Sequence, residues 1–368
     1  MTVEGAKRRS DNGTVLEPLA SPVTVRHRDG IHFESEDGEP RVVADARSAV
    51  GRVNVVSHAH ADHTFRTTPE TVVCSAETAA IAEARTGSGF AFVEDAPGIE
   101  LVPAGHVVGS RAAIIDLEAG DEGNAREAAD APQRYCYTGD FSTRDRCYLE
   151  GFDPQAVDAD ALVMETTYGV PKYRFPPQER LEAEIVDWLR DNDDRPCFLF
   201  GYSLGRSQKL QWIAREATGD DGREILVSES IHDVNRAIET ATDGDLEFPG
   251  ERYDSLRGLT DEIVILPSNQ ARVDWVEATV DREAGVKAGF SGWAVDDSFL
   301  YRGNYDVTFP LTDHCDFDEL VATVRAIDPE VVYTNHGFDE AFADHLATEH
   351  GYRSRPLKRD QTTLEEFC

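Results

Sequence analysis

Cysteine is sparse and carries no ligand spacing. The six cysteines, at 74, 136, 147, 197, 315 and 368, form no CxxC pair and no knuckle. That excludes a cysteine-ligated zinc module and a disulfide framework, and a reduced, cytoplasmic protein is the simplest account. No run of eighteen apolar residues occurs, so no membrane span is expected. Met1 to Pro22 is charged and polar without the apolar stretch of a secretory signal, and is expected to be a flexible N-terminal segment. No internal repeat is present. Lysine is rare: five of the thirty-six basic residues, in a chain of formal net charge −34. The carboxylates are spread throughout, so an acidic tail does not account for that charge.

Histidine, by contrast, is concentrated. Residues 56–63 read Val-Ser-His58-Ala-His60-Ala-Asp62-His63, offering four metal ligands within six positions. His58 and His60 are two apart, so in an extended segment both rings project to one side. Asp62 and His63 follow past a turn and can face a second ion. Nitrogen-rich sets with a carboxylate suit zinc, and sites that keep a position open are the catalytic kind. The β-branched run Val53-Asn54-Val55-Val56 hangs this cluster on the end of a buried strand.

Later strands repeat the arrangement. Leu101-Val102 leads to Gly105-His106, Tyr135-Cys136-Tyr137 to Gly139-Asp140, and Val331-Val332-Tyr333 to His336-Gly337. Each delivers a His or Asp beside a small residue that permits close approach. A lone buried histidine is usually a satisfied core residue and Gly-Asp usually a turn, but four such strand ends together point to one metal centre.

These residues resemble the metallo-β-lactamase superfamily from about residue 30 to the C-terminus. His58, His60, Asp62 and His63 match its signature, His106, Asp140 and His336 its later ligand motifs, and Asp45 its early aspartate, which buttresses the metal loop. Three further segments are similar to the β-CASP nucleases of that superfamily. They are Glu165-Thr166-Thr167-Tyr168-Gly169, Thr312-Asp313-His314-Cys315-Asp316, and Gly205-Arg206-Ser207-Gln208. The stretch Gly169 to Pro176 and Gly292-Trp293-Ala294 are similar to the DNA-ligase-associated exonucleases in particular. At two places the chain departs from its relatives. Phe338 stands where the RNA-processing branch usually has glutamate, and Thr143 to Cys147 is not the usual continuation of the ligase-associated branch.

The resemblance implies an α/β protein, a four-layer αββα core with an inserted β-CASP α/β domain and an active-site cleft between them. Boundaries are expected at 23–170 for the first part of the core, 171–303 for the insert and 304–368 for the rest of the core. It implies two divalent ions, zinc or else manganese. His58, His60 and His106 would hold one, Asp62, His63 and His336 the other, and Asp140 both. Two ions about 3.5–4 Å apart can clamp an in-line phosphoryl displacement. His314 is expected to donate a proton outside the metal shell, with Glu165 orienting its ring. Arg206 and Gln208 near a helix start are candidate phosphate binders, and Lys172, Tyr173 and Arg174 a backbone-tracking, base-stacking edge.

The expected function is a two-metal nuclease on single-stranded DNA or RNA, foremost an exonuclease in DNA repair or RNA processing. An RNA 3′-end endoribonuclease, a 5′ exoribonuclease, a small-molecule metallo-hydrolase and a non-catalytic scaffold are the alternatives. DNA ligase or RNA-processing proteins are the expected partners, and a homodimer is possible on the same resemblance. The acidic, lysine-poor composition resembles proteins of salt-in halophiles. In molar salt the Debye length falls to about 3 Å, so net charge does not argue against a polyanionic substrate.

The pattern along the chain predicts hairpins over 23–57, with turns at Asp29-Gly30 and Asp37-Gly38. Helices are expected over Glu77–Arg85, Glu179–Arg190 and Leu204–Ala217, and strands at 99–117, 135–138, Cys197–Phe200, Ile225–Val227 and Ile263–Leu266. Residues 118–134 read as an acidic loop. Trp188, Trp212 and Trp275 are expected in the core, and Cys315 as a packing residue rather than a nucleophile.

Overall fold

The computed structural model describes residues 23–34, 38–48, 50–66, 71–117, 134–146, 148–219 and 222–357. The N-terminal segment 1–22, the acidic loop as far as residue 133, Asp37, Cys147 and Cys368 lie outside the described residues. The chain divides into two compact units, Met1–Val170 with Phe317–Cys368, and Pro171–Asp316.

Two mixed sheets build the first unit. One runs β1 (Thr24–Arg28), β2 (Gly30–Glu34), β3 (Pro40–Ala44), β4 (Val53–Val55), β5 (Val72–Val73), β6 (Phe92–Val93) in that spatial order. Its hairpin edge is antiparallel, and β3 to β6 are parallel. In the other, β7 (Ile99–Pro103), β8 (Arg111–Asp116), β9 (Arg134–Tyr137), β10 (Ala161–Glu165), β17 (Val331–Asn335) and β18 (Ser354–Pro356) lie side by side. Residues two apart on both sheets meet in a single core: Ile31 and Phe33, Val42 and Ala44, Val53 and Val55 from one, Ala113 and Ile115, Tyr135 and Tyr137, Ala161 and Val163 from the other. Strand alternation forces this, since i and i+2 share a face. Each valine, isoleucine or phenylalanine among them contributes about 1.5–3 kcal/mol on burial, each alanine less. Helix α1 (Ala76–Thr86) begins where Ser75 caps Thr78 and buries Ala79 with Val72 and Cys74, on a separate cluster. Helices α7 (Phe317–Ile327) and α8 (Asp339–Glu349) meet through Phe317 and Phe342, and α8 packs on β17 and β18.

The directions of these strands matter for the site. β9, β10 and β17 are parallel, while β7 and β9 are each antiparallel to β8 and so point the same way. Their C-terminal ends therefore share one edge of the second sheet, as those of β3 and β4 do in the first.

The second unit is a parallel sheet with apolar helices on both faces. In the spatial order β13-β12-β14-β11-β15-β16 its strands are Glu251–Arg252, Ile225–Val227, Ile263–Pro267, Cys197–Gly201, Val286–Phe290 and Val307–Phe309. Helices α2 (Gln178–Asp191), α3 (Arg206–Thr218) and α4 (Glu229–Ala241) bury Leu181, Ile185, Leu210, Ile213 and Ile231 against Leu199, Val227 and Ile265. The alternate strand residues Phe198, Phe200, Val264 and Leu266 meet Val276 and Val280 of α5 (Asp274–Arg282) on the other face. Near-continuous apolar strands such as Cys197–Gly201 are what a sheet covered on both sides requires.

Sequence and structure differ at three points here. The second unit ends at Asp316 rather than 303, because the three-residue β16 joins it as an edge strand beside β15. Helix α3 starts at Arg206, two residues late, because Gly205 with φ +92° cannot continue a helix. Trp212 and Trp275 are exposed rather than core, at 38% and 45%. The buried positions of their helices belong instead to Leu210, Ile213, Val276 and Val280.

Candidate metal centre

Asp45 sits at the end of β3 and organises the site. Its carboxylate accepts from the Ser57 backbone N (2.7 Å), the Ser57 hydroxyl (2.5 Å), the Tyr137 hydroxyl (2.8 Å) and, at 2.8 Å, His63 Nδ1. Asp45 holds φ +53°, and His336 φ +56°; backbones of this kind persist only where their surroundings over-determine them. Since the Ser57 hydroxyl donates to Asp45, it accepts from His58 Nδ1 at 2.9 Å. That fixes the His58 tautomer with the Nε2 lone pair turned away from Ser57. His63 is fixed in the same way, Nδ1 to Asp45, which leaves its Nε2 for other work.

The remaining ring nitrogens converge. His58 Nε2 lies 3.0 Å from His60 Nδ1, and His106 Nε2 lies 3.2 Å from the same atom. Asp140 Oδ2 stands 3.6 Å from His58 Nε2, 3.6 Å from His63 Nε2 and 3.7 Å from His106 Nε2. With metal–ligand bonds of about 2.0–2.2 Å, donors of a tetrahedral site stand roughly 3.3–3.6 Å apart. The set His58, His60, His106 and Asp140 fits an ion of that kind.

Protonation agrees with this. Burial lowers His60 to about 4, against the opposing pull of Asp140, so its imidazole is neutral at pH 7 and its lone pair is open to a ligand role. Burial pushes His63 down too, but Asp140 and then Asp45 more than reverse that and hold it up to about 10. Without a cation beside it, His63 therefore keeps a proton between two carboxylates. A metal ion would replace that proton.

Asp62 and His336 are looser members. The Asp62 carboxylate is 72% exposed and 4.0 Å from His63 Nε2, and the His336 ring centre is 5.7 Å from that of His63. All three line one cavity of about 140 Å³, together with Asp45, Tyr137, His27, Arg28 and Arg47. Sequence reasoning missed His27, Arg28 and Arg47, which carry no motif.

Glycine lets the loops meet. A Cβ on Gly139 would stand 2.6 Å from both Cβ and Oγ of Ser57, and on Gly105 2.2 Å from the Ser142 carbonyl. Both also have positive φ, +57° and +69°. Gly139→Ala is expected to destabilise the fold by about 2–4 kcal/mol, and, by displacing Ser57, to loosen His58. Chemical denaturation reads the first effect, and an unchanged midpoint would refute this account of the contact. Arg146 braces the other loop, donating at 3.0 Å to the carbonyls of both Gly105 and His106. Arg146 lies in the segment that departs from the ligase-associated pattern, and only its fold position reveals it.

The substrate-binding candidates fare differently. Arg206 is 2% exposed, pairs with Asp313 at 3.1 Å and donates to the Phe290 carbonyl. Gln208 accepts from Gly205 N at 2.7 Å and donates to the Ser203 carbonyl and Asn235 Oδ1. Both are committed inside the second unit, and this corrects their reading as phosphate binders. Tyr173 is buried with its ring edge-on to Trp293 at 5.1 Å, so it packs rather than offers a base-stacking face. Lys172 pairs with Asp296 at 2.6 Å while half exposed, and Arg174 donates to the Pro171 carbonyl. Glu165 is buried and accepts from Thr167 N at 2.7 Å. His314 lies on the connection from β16 to α7, with its backbone N donating to Thr312 Oγ1 at 3.1 Å. Cys315 is buried.

A cluster of histidines around one carboxylate, set on the C-terminal ends of strands from two packed sheets, gives this α/β protein a group of side chains that could hold a metal ion. No protein-family model matches the chain. Over 305 residues, 79% of its length, it is 34% identical to a probable DNA ligase of Opitutus terrae, of which it spans 27%. Over 115 residues it is 30% identical to cleavage and polyadenylation specificity factor subunit 3 of Dictyostelium discoideum, covering 31% of this chain and 13% of that one. The chain thus spans about a quarter or less of these relatives. A protein of unknown function from Enterococcus faecalis shares the fold, with TM-score 0.54, 14% identity and coverage of 94% and 96%. With its motifs and these relatives, the chain belongs to the β-CASP branch of the metallo-β-lactamase superfamily.

Proposed function

We propose that the protein is a metal-dependent nuclease that hydrolyses phosphodiester bonds of single-stranded nucleic acid, with an exonuclease in DNA repair as the foremost form. The observation that carries this reading is the convergence of His58 Nε2, His60 Nδ1 and His106 Nε2 with Asp140 Oδ2, which His63 approaches from the other side. The two-sheet unit then serves as the αββα core, and Pro171–Asp316 as the inserted β-CASP domain.

In this reading Asp62, His63 and His336 would hold a second ion, and Asp140 would serve both. Such ions, zinc or manganese, would supply Lewis acidity at the reacting phosphate. The chain's own residues do the rest. Asp45 keeps His63 and, through Ser57, His58 in one tautomer and one orientation. His314 provides a proton to the leaving oxygen, with Glu165 as its proposed partner. The long similarity to a probable DNA ligase supports DNA as substrate and a ligase as partner.

Two measurements test this. Metal analysis of purified protein is expected to give about two equivalents per chain, and none would support a scaffold without catalysis. Matched, end-labelled single-stranded DNA and RNA are then digested side by side in high potassium chloride with zinc or manganese. A ladder from one end of DNA alone is expected. Cleavage of RNA would move the protein to RNA processing, and no cleavage of either would favour a small-molecule hydrolase.

A further inference from the structure

The cavity beside His63 and His336 has a basic wall that the metal chemistry does not use. It is lined by His27, Arg28 and Arg47 as well as Asp29, Asp45 and Asp62. In a chain of net charge −34, two guanidiniums and an imidazole at one opening stand against the overall composition.

The wall is built rather than incidental. Gly30, with φ +95°, brings the β1–β2 turn onto the end of β3 so closely that a Cβ there would stand 2.5 Å from the Ala44 carbonyl and 2.7 Å from Ala46 Cα. The Asp29 carboxylate accepts from Ser48 N at 2.8 Å and from Arg47 N at 3.4 Å, stitching the turn to the loop that carries Arg47. The Arg47 carbonyl accepts from Arg66 N at 2.8 Å, which ties the same loop to the segment following His63. Two of the three acids are engaged: Asp29 with backbone donors, and Asp45 with Ser57, Tyr137 and His63. The third, Asp62, is 72% exposed and 4.0 Å from His63 Nε2. Arg28 is oriented by Glu34 at 3.1 Å but keeps about half its side chain exposed. The His27 ring stands 5.8 Å from that of His336. Among the described residues Arg47 has no ion-pair partner.

We propose that His27, Arg28 and Arg47 form a phosphate subsite, which takes a phosphate of the nucleic-acid backbone next to the one at the metal centre, with Arg47 as its principal contact. Guanidinium forks match phosphate oxygens in geometry as well as charge. A phosphate held there fixes the register of the strand across the ions without reading its sequence. The assignment rests on the nuclease reading and adds the polymeric character of the substrate to it.

The test uses metal-loaded protein and two substrates. Bis(p-nitrophenyl) phosphate contains only a reacting phosphodiester, while a single-stranded DNA 12-mer contains its neighbours too. Arg47→Ala is expected to lower kcat/KM for the 12-mer about 10- to 100-fold, chiefly through KM, and to change the small diester far less. Arg47→Lys should recover part of the loss. Fluorescence anisotropy of a labelled phosphorothioate 12-mer should show weaker binding by a similar factor, with metal content unchanged. Equal losses on both substrates, or loss of metal from the variant, would overturn the subsite. If wild-type protein cleaves neither substrate while holding its metal, the nuclease reading fails, and the subsite fails with it. Cleavage of the small diester but not the 12-mer also overturns the subsite, because a strand would then have no place in the site.

Discussion

Asp140→Ala is expected to abolish hydrolysis of nucleic acid, lowering the rate by roughly 10³-fold or more. The reason is geometric. Asp140 Oδ2 lies 3.6–3.7 Å from the Nε2 atoms of His58, His63 and His106 at once. Asp45 reaches His63 on its other ring nitrogen, so it is Asp140 that stands beside the Nε2 atoms. In the proposed two-ion arrangement, removing Asp140 would take away the ligand common to both ions and the negative charge they would need. The measurement is cleavage of end-labelled oligonucleotides together with metal content, expected to fall below two equivalents. Full activity in the variant would sink the two-ion arrangement. Asp140→Asn separates charge from shape: it keeps the side-chain volume and should lose nearly as much.

The parts of this molecule that were legible in the sequence share a cause. His58, His60 and His63 stand within six residues, so local spacing alone brings them together. That His106 and Asp140 come together with them was readable because each follows an apolar strand and neighbours a glycine, and parallel strands deliver their C-terminal ends to one edge; His336 follows another such strand but stands further off. The structure adds the reason for the glycine beside Asp140: the Ser57 side chain occupies the space a Cβ would take. The second unit was legible as α/β from the helical spacing of Leu181, Ile185 and Leu189 and the buried run at Cys197–Gly201.

What was not legible depends on contacts distant in sequence. Arg206 and Gln208 at a helix start look like anion binders, since a helix N-terminus attracts phosphate. Their partners, Asp313 and Asn235, are 107 and 27 residues away, and no local pattern announces them. Tyr173 next to Lys172 looks like a stacking edge until Trp293 covers its ring. Arg47 was overlooked for the opposite reason: an arginine in a loop is ordinary until Asp29, eighteen residues earlier, is seen to hold its backbone. The end of the second unit was misplaced because a three-residue strand such as Val307–Phe309 carries too few residues to show a period.

The Arg206–Asp313 pair bears on the second large effect. Both partners are 2% exposed, and breaking a buried pair strands the remaining charge at a cost of about 3–5 kcal/mol. Asp316, three residues further on, accepts from Phe175 N at 3.0 Å. His314 therefore sits on a loop pinned on either side, and a fixed backbone is what a proton donor needs if its ring is to be in place at each turnover. His314→Ala is expected to slow cleavage by about 10²–10⁴-fold, the range for a lost general acid, while metal content stays at two equivalents. A surface or purely structural histidine would not give that combination. Added imidazole should restore part of the rate by entering the space the side chain leaves. It should restore none to Asp140→Ala, where the defect lies in holding the ions. An unchanged rate in His314→Ala would remove the residue from the chemistry. Loss of metal would instead make it a ligand, and the proton would have to come from another group.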